Sequence, residues 1–328
     1  MNALSESIKH SDECNEVDGG EYDLGLHIGA VFIEIAVSFL GTLIPIIAKK
    51  NPRFKISDYI FTLGKNFGTG VILSTAFIHM LAPANENLSD PCLGDALPEY
   101  PWAPLFALLA LLSIQFIQTL ATAHARGQLS KKPAHDALIN SEEGGSEHSE
   151  HGEHCHDHVH TLLLEKDKSA RRISTYMLEL GIATHSVIIG VTLGVARDEF
   201  KGLLVALAFH QFFEGIALST TVLDAGFTSL VQPVGVVIFY TLTTPLGIVI
   251  GILISEGFQE KSTSSLLVQG IFDAVSAGIL LYDGLVNMVN NNITRSDEFM
   301  ASSPLRKFGA FAALWFGIIV MAVIGKWA

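Results

Sequence analysis

Eight long apolar stretches constrain the fold of this 328-residue chain more than any other feature. Each stretch has about 20 or more mostly apolar residues, the length that an α-helix needs to cross the hydrocarbon core of a bilayer. A β-strand interpretation fails because the runs are too long and an open sheet edge cannot face lipid. The sequence therefore predicts an all-α bundle of eight transmembrane helices. The stretches are 28–48, 59–82, 102–123, 173–195, 200–223, 231–254, 265–289 and 308–327.

The charged residues support a membrane protein. They make up only 16% of the chain and are concentrated between the apolar stretches, whereas soluble proteins contain about 25%. The net charge is −13, so the chain lacks the basic surplus that nucleic-acid binding needs. These features exclude a disordered chain, a coiled coil, a nucleic-acid-binding protein and an ordinary soluble enzyme. We expect a multi-pass protein embedded in the lipid bilayer.

The distribution of Lys and Arg predicts the orientation, because basic loop residues mark the cytoplasmic side of a membrane. Most basic loop residues fall inside if both termini lie outside. The predicted segments are then an acidic extracellular tail at 1–26, helices one to three at 27–123, a cytosolic loop at 124–172 and helices four to eight at 173–328. We expect the polar 124–172 loop to be disordered.

Ionisable residues within the apolar stretches carry the strongest functional signal, because each costs about 2.5–3.5 kcal/mol at mid-bilayer on insertion scales. His210 and Glu214 are four residues apart and therefore project from one face of the fifth helix. His185 lies near the middle of the fourth, and antiparallel neighbours can bring all three together. Two imidazoles and a carboxylate suit Zn²⁺, Fe²⁺, Mn²⁺ or Co²⁺. The alternative is that these groups only hydrogen-bond one another and hold the helices together.

Other buried ionisable residues allow two interpretations each. His79 lies near the outer end of the second helix and either lines a transport path or is solvated at the interface. Glu179 lies two turns before Ser186 and could form an outer shell of the metal site. Three further carboxylates are Glu34, Asp273 and Asp283. We expect these three to pair with Lys65 or backbone groups, with a relay role as the alternative.

A histidine cluster lies in the 124–172 loop. Its members are His148, His151, His154, His156, His158 and His160. With interleaved carboxylates and Cys155, this composition binds divalent metals loosely. We predict a regulatory or capturing segment, and the alternative is a solvated linker.

The two other cysteines, Cys14 and Cys92, both fall outside under the predicted topology. Because that compartment is oxidising, a disulfide between them is a hypothesis, with two free thiols as the alternative.

Two motifs resemble the paired fourth- and fifth-helix signature of the ZIP (ZRT/IRT-like) divalent metal transporters: HSVIIG at 185–190 and FHQFFEG at 209–215. Segments 18–22, 77–81 and 240–247 resemble the fungal and plant zinc/iron-regulated branch of that family. The resemblance covers nearly the whole chain.

The resemblance implies a transporter rather than an enzyme. It would move zinc, or alternatively iron, into the cytosol across the plasma membrane. It implies eight helices in a 3+2+3 arrangement with an inverted repeat, both termini outside, and a homodimer. Zinc or iron would be the transported substrate, and no prosthetic group is expected.

By this resemblance, the family's primary metal site falls on His185, His210 and Glu214. Ser186 and Gln211 occupy positions where some members place ligands for a second, adjacent metal. Ile189 and Thr244 stand where those members place carboxylates. We therefore expect one principal transported ion.

Three other functions remain as alternatives. A metal exporter of another class usually has six helices and cytosolic termini. A membrane metal sensor would use the same ligands without translocation. An intramembrane metalloprotease is disfavoured because the chain has no His-Glu-x-x-His motif.

Overall fold

The computed structural model describes residues 14, 21–50, 57–142, 153–197, 200–227, 229, 231–259 and 261–327. Within these residues every regular element is helical, and eight helices are long and apolar enough to cross a membrane. The prediction of an all-α bundle with eight transmembrane helices is therefore confirmed.

The eight helices are numbered in chain order. They are α1 (Leu24–Lys50), α2 (Asp58–Leu88), α3 (Trp102–Glu142), α4 (Glu153–Val195), α5 (Phe200–Asp224), α6 (Val231–Ile254), α7 (Thr263–Thr294) and α8 (Pro304–Ile324). Two short helices, Pro91–Ala96 and Asp297–Ala301, lie in the connections before α3 and before α8.

Serine side chains start several helices. Ser57, Ser262 and Ser303 precede α2, α7 and α8, and each accepts a hydrogen bond from the backbone N–H three residues later. These caps satisfy N–H groups that lack a partner at the first turn of a helix. The caps therefore stabilise the starts of these three helices.

Helices α2 and α7 are longer than their predicted stretches, and each contains a π-helical segment. These segments are Thr75–Leu81 in α2 and Asp283–Thr294 in α7. Such wide turns occur frequently at functional sites. The first contains His79, and the second begins at a buried aspartate.

Close glycine contacts set the position of α4 against α6. A Cβ atom added at Gly190 would overlap the carbonyl oxygen of Thr244, and one added at Gly247 would overlap that of Val187. Small residues let membrane helices approach in this way. The contact fixes the middle of α4, where His185 lies, against the middle of α6.

The connection between α3 and α4 differs from the predicted disordered loop at 124–172. α3 continues to Glu142 and α4 begins at Glu153, so much of this segment is helical. Both parts extend an existing transmembrane helix and therefore avoid the cost of nucleating a new one. Their Ala, Leu, Lys and Glu residues are also strong helix formers. The prediction of a disordered loop considered only the polarity of the segment and took account of neither helix extension nor helix propensity.

The predicted histidine cluster lies around the start of α4. His148 and His151 lie outside the described residues. The four other histidines belong to the first turns of α4; they are His154, His156, His158 and His160.

Candidate metal site

The centre of α5 carries two of the predicted site residues. Nε2 of His210 lies 3.3 Å from Oε1 of Glu214, as their four-residue spacing on one helical face requires. His210 is 1% exposed and Glu214 is 0% exposed. Both side chains therefore face the interior of the bundle rather than lipid.

His185 of α4 lies beside this pair. Its ring centroid is 5.6 Å from that of His210, and the residue is 1% exposed. The structure thus brings the three residues His185, His210 and Glu214 together between neighbouring helices. Rings at this separation leave room for one ion with Zn–N bonds of about 2.0–2.1 Å to each.

A carboxylate from α7 orients the His185 ring. Oδ1 of Asp273 lies 3.3 Å from Nδ1 of His185. If Nδ1 donates its hydrogen to Asp273, Nε2 keeps a lone pair, and Nε2 has no hydrogen-bond partner among the described residues. A carboxylate in this position fixes the tautomer of a metal-binding histidine and makes it more basic.

Most polar atoms of this cluster are buried and unpaired within the described part of the chain. They are His185 Nε2, both ring nitrogens of His210, both carboxylate oxygens of Glu214, Ser186 Oγ, both side-chain amide atoms of Gln211 and Thr244 Oγ1. The His210–Glu214 contact has ion-pair distance without hydrogen-bond geometry. An unpaired buried polar group costs about 1–3 kcal/mol, and a divalent cation could satisfy several of these lone pairs at once.

The ligands do not yet converge on one point. Among the described residues, no group of three His, Cys, Asp or Glu side chains forms a ready metal cage. Nε2 of His210 contacts Oε1 of Glu214, while Asp273 contacts only Nδ1 of His185 and leaves its Nε2 without a partner among the described residues. Rotation of the His210 and Glu214 side chains would have to complete the coordination.

The two predicted path residues differ in their relation to this cluster. The ring of His79 lies 4.9 Å from that of His210, and its Nε2 donates a hydrogen bond to the Met321 carbonyl at 2.8 Å. Glu179 is buried elsewhere on α4, and its Oε1 has no partner among the described residues. The structure therefore places His79 at the cluster, whereas no hydrogen bond among the described residues connects Glu179 to it.

The expected pairing of Lys65 with a buried carboxylate was wrong in its partner. Lys65 Nζ lies 2.7 Å from Oδ2 of Asp224, the last residue of α5. Asp273 instead contacts His185, 88 positions away in sequence. No local motif could have indicated this contact, because it depends on how α4 and α7 pack.

The two predicted disulfide residues are joined in the structure. Cys14 and Cys92 form a disulfide with Cα atoms 5.5 Å apart. It connects the segment before α1 to the Pro91–Ala96 helix. The backbone there is held by Asp90, whose side chain accepts a hydrogen bond from the Cys92 N–H at 2.7 Å.

The fold and the site define the class of protein: a multi-pass membrane protein with imidazole and carboxylate groups buried inside its helix bundle. The family model described as ZIP zinc transporter matches residues 24–325, so the chain belongs to the ZIP family. The resemblance seen in the motifs is thereby confirmed.

Relatives come from fungi and plants. Zinc transporter 8 of Oryza sativa is 34% identical, and the alignment covers 93% of this chain and 88% of the relative. Zinc-regulated transporter 1 of Schizosaccharomyces pombe is 31% identical, and the alignment covers 99% of this chain and 90% of the relative. Zinc-regulated transporter 2 of Saccharomyces cerevisiae is 28% identical, covering 97% of each chain. The chain is therefore a divalent metal transporter rather than an enzyme, and zinc is its substrate rather than a prosthetic group.

Proposed function

We propose that this ZIP transporter moves Zn²⁺ into the cytosol through a site formed by His185, His210 and Glu214. The observation that supports this site is the set of unpaired nitrogen and oxygen atoms in its buried centre. Membrane proteins rarely keep such groups unpaired without a functional reason. Ser186 and Gln211 would add oxygen ligands at its edge.

Entry from outside begins with electrostatics. The acidic outer segments raise the local cation concentration. The ion then loses water and binds the neutral imidazoles and the Glu214 carboxylate. Asp273 holds the His185 ring in the orientation that presents Nε2. Protons compete with the metal, because a protonated imidazole cannot be a ligand.

A polar cavity supports release at the inner side. Its volume is about 1620 Å³, and it lies between the first turns of α2 and the last turns of α5 and α7. Its lining includes the side chains of Asp224, Asn290 and Asn291. Such oxygen ligands bind zinc more weakly than imidazoles do, which favours onward movement.

The membrane arrangement is also proposed. Both termini lie outside, because that orientation places most basic loop residues on the cytoplasmic side. The family resemblance supports a 3+2+3 arrangement with an inverted repeat, a homodimer and a location in the plasma membrane.

The proposed ion is zinc, with iron as the alternative. The relatives are named zinc transporters. A site with two imidazole nitrogens and one carboxylate suits Zn²⁺ well and also accepts Fe²⁺. The histidines around the start of α4 are proposed to capture or sense the ion after its release.

Uptake of labelled metals tests the function. Cells that express the chain should accumulate zinc, and His210→Ala should reduce accumulation to background without lowering surface protein. The control is His124→Ala, which removes an exposed histidine at the inner end of the membrane part of α3. Metal binding without accumulation would instead identify a sensor, and reduced cellular zinc would identify an exporter. Normal uptake by His210→Ala would reject the site.

A further inference from the structure

Glu34 is a buried carboxylate that the proposed transport site does not use. It lies in the middle of α1, is 0% exposed, and neither of its oxygens has a hydrogen-bond partner among the described residues. The buried positions of α1 form one helical face, which also contains Ala30, Ser38 and Thr42. The Glu34 side chain therefore points into the bundle and away from lipid.

The surroundings of Glu34 are poor in polar partners. One turn earlier, Ala30 belongs to an apolar cluster with Leu193, Leu207 and Ile248. One turn later, Ser38 Oγ has no partner either within the described residues. An ionised carboxylate without a partner is strongly disfavoured in such a medium. A protonated carboxyl group is tolerated far better.

The charged groups on the helices packed against α1 do not compensate Glu34. α1 packs on α5 and α6 and meets the end of α4 through His27, whose Nε2 lies 2.9 Å from the Ala196 carbonyl oxygen. The titratable residues of α5 and α6 are Lys201, His210, Glu214, Asp224 and Tyr240. Lys201 is exposed at the outer end of α5, and Asp224 is paired with Lys65 at the inner end.

The packing of α1 places Glu34 beside the metal-binding part of α5. Ala30 belongs to one apolar cluster with Leu207, and a Cβ atom added at Gly41 would overlap the carbonyl oxygen of Phe212. Glu34 lies between Ala30 and Gly41 on α1, as His210 lies between Leu207 and Phe212 on α5. The Tyr240 hydroxyl does not neutralise Glu34, because it donates its hydrogen bond to the backbone carbonyl of Gln211.

We propose that Glu34 is a proton-binding site coupled to zinc binding. Glu34 holds a proton while the site at His185, His210 and Glu214 is empty, and it releases that proton when a divalent cation binds there. This inference rests on the proposed function of that site. A nearby double positive charge favours the ionised form of a carboxyl group. Bound zinc therefore lowers the affinity of Glu34 for its proton. Thermodynamic linkage then requires that protonation of Glu34 lower the affinity of the site for zinc by the same factor.

Proton release per zinc tests the coupling directly. The full chain is purified into lipid nanodiscs, and zinc is titrated by calorimetry in buffers of different ionisation enthalpy. Metal binding to histidines releases protons in any case, so the informative quantity is the difference between variants. Glu34→Gln, which mimics the protonated group, should release up to about one proton fewer per zinc than the natural chain.

Two variants serve as controls. Glu34→Asp retains a titratable carboxyl group and should release as many protons as the natural chain. Glu256→Gln removes an exposed carboxylate near the outer end of α6 and should also leave the proton count unchanged. Zinc affinity in Glu34→Gln should depend less on pH than in either control.

Several outcomes would overturn the proposal. One is an equal proton count in Glu34→Gln and the natural chain when both bind zinc. Another is complete loss of zinc binding in a folded Glu34→Gln, which would make Glu34 a ligand. Infrared difference spectroscopy of the natural chain covers the case in which the variant does not fold. Zinc should remove the carbonyl band of a protonated carboxyl group, and absence of that change rejects the idea. Normal zinc binding by His210→Ala would reject the transport site separately.

Discussion

Two polar clusters inside the helix bundle contain similar residue types but differ in how well their atoms are paired. The first, which we call the inner cluster, consists of Gln118, Ser174, Asp283 and Asn287. In it, Oδ1 of Asp283 accepts hydrogen bonds from Ser174 and Asn287, each at 2.6 Å. The amides of Asn287 and Gln118 pair reciprocally at 3.0 and 3.1 Å. Oδ2 of Asp283 has no partner among the described residues, but the other atoms form a network that joins α3, α4 and α7. Such a network is the kind of polar contact that holds membrane helices together.

The second, the central cluster around His185, His210 and Glu214, lacks that pairing. His210 and Glu214 are as deeply buried, yet none of their side-chain nitrogen or oxygen atoms has a hydrogen-bond partner among the described residues. The comparison teaches that burial of a polar group in a membrane does not identify a binding site. A binding site is indicated instead by buried lone pairs that face one another without hydrogen-bond partners, because only a ligand can then compensate their lost hydration.

The largest effect is expected for Glu214→Ala. Zinc uptake should fall to background because a ligand is lost, whereas thermal stability in detergent should not fall. Stability is expected to persist because the removed oxygens have no hydrogen-bond partner in the part of the chain that the structure describes. Radiolabelled uptake, surface labelling and a melting curve measure the three quantities. A clearly lower melting temperature would show that the central cluster holds the helices together as the inner one does.

A smaller effect is expected for Asp273→Asn. The carboxylate touches His185 rather than the ion, so its loss should weaken zinc binding about 10–100-fold without abolishing it. Calorimetry on the purified protein measures the affinity. Asp297→Asn is the matched control, because Asp297 is exposed in the short helix before α8. Unchanged affinity in Asp273→Asn would show that this contact is only structural.

The opposite pattern is expected for Asn287→Leu in the inner cluster. This change removes the amide partner of the half-buried Gln118 and one of the two hydrogen bonds to Oδ1 of Asp283. The expected cost is about 1–3 kcal/mol, the usual range for a buried polar group that loses its partner. Surface protein and melting temperature should fall, while uptake per surface molecule persists. Loss of uptake per molecule at normal stability would place Asn287 on the ion path instead.

The sequence predicts the bundle well because membrane burial requires long apolar helices, and hydropathy measures that requirement directly. It also predicts that His210 and Glu214 share a face, since four residues make about one turn. The contact of Asp273 with His185 and the pairing of Lys65 with Asp224 could not be predicted, because they depend on helix packing. The extensions of α3 and α4 were missed because a polar segment that continues a helix resembles a loop in composition.

The smallest effect on transport is expected for deletion of 147–160, which removes the histidine cluster. The described ring contacts and hydrogen bonds of the central site come from residues of α2, α4, α5 and α7 between positions 79 and 273 that lie in the predicted apolar stretches. Initial zinc uptake should therefore match the natural chain. Because loosely bound metal at histidines reports the cytosolic concentration, the deletion should alter the lifetime of the protein at high zinc. A pulse-chase measurement at two zinc concentrations tests this, with replacement of 147–160 by a Gly/Ser linker of equal length as the control. Complete loss of uptake in both forms would make the segment part of the transport path and would extend the functional region beyond the central cluster.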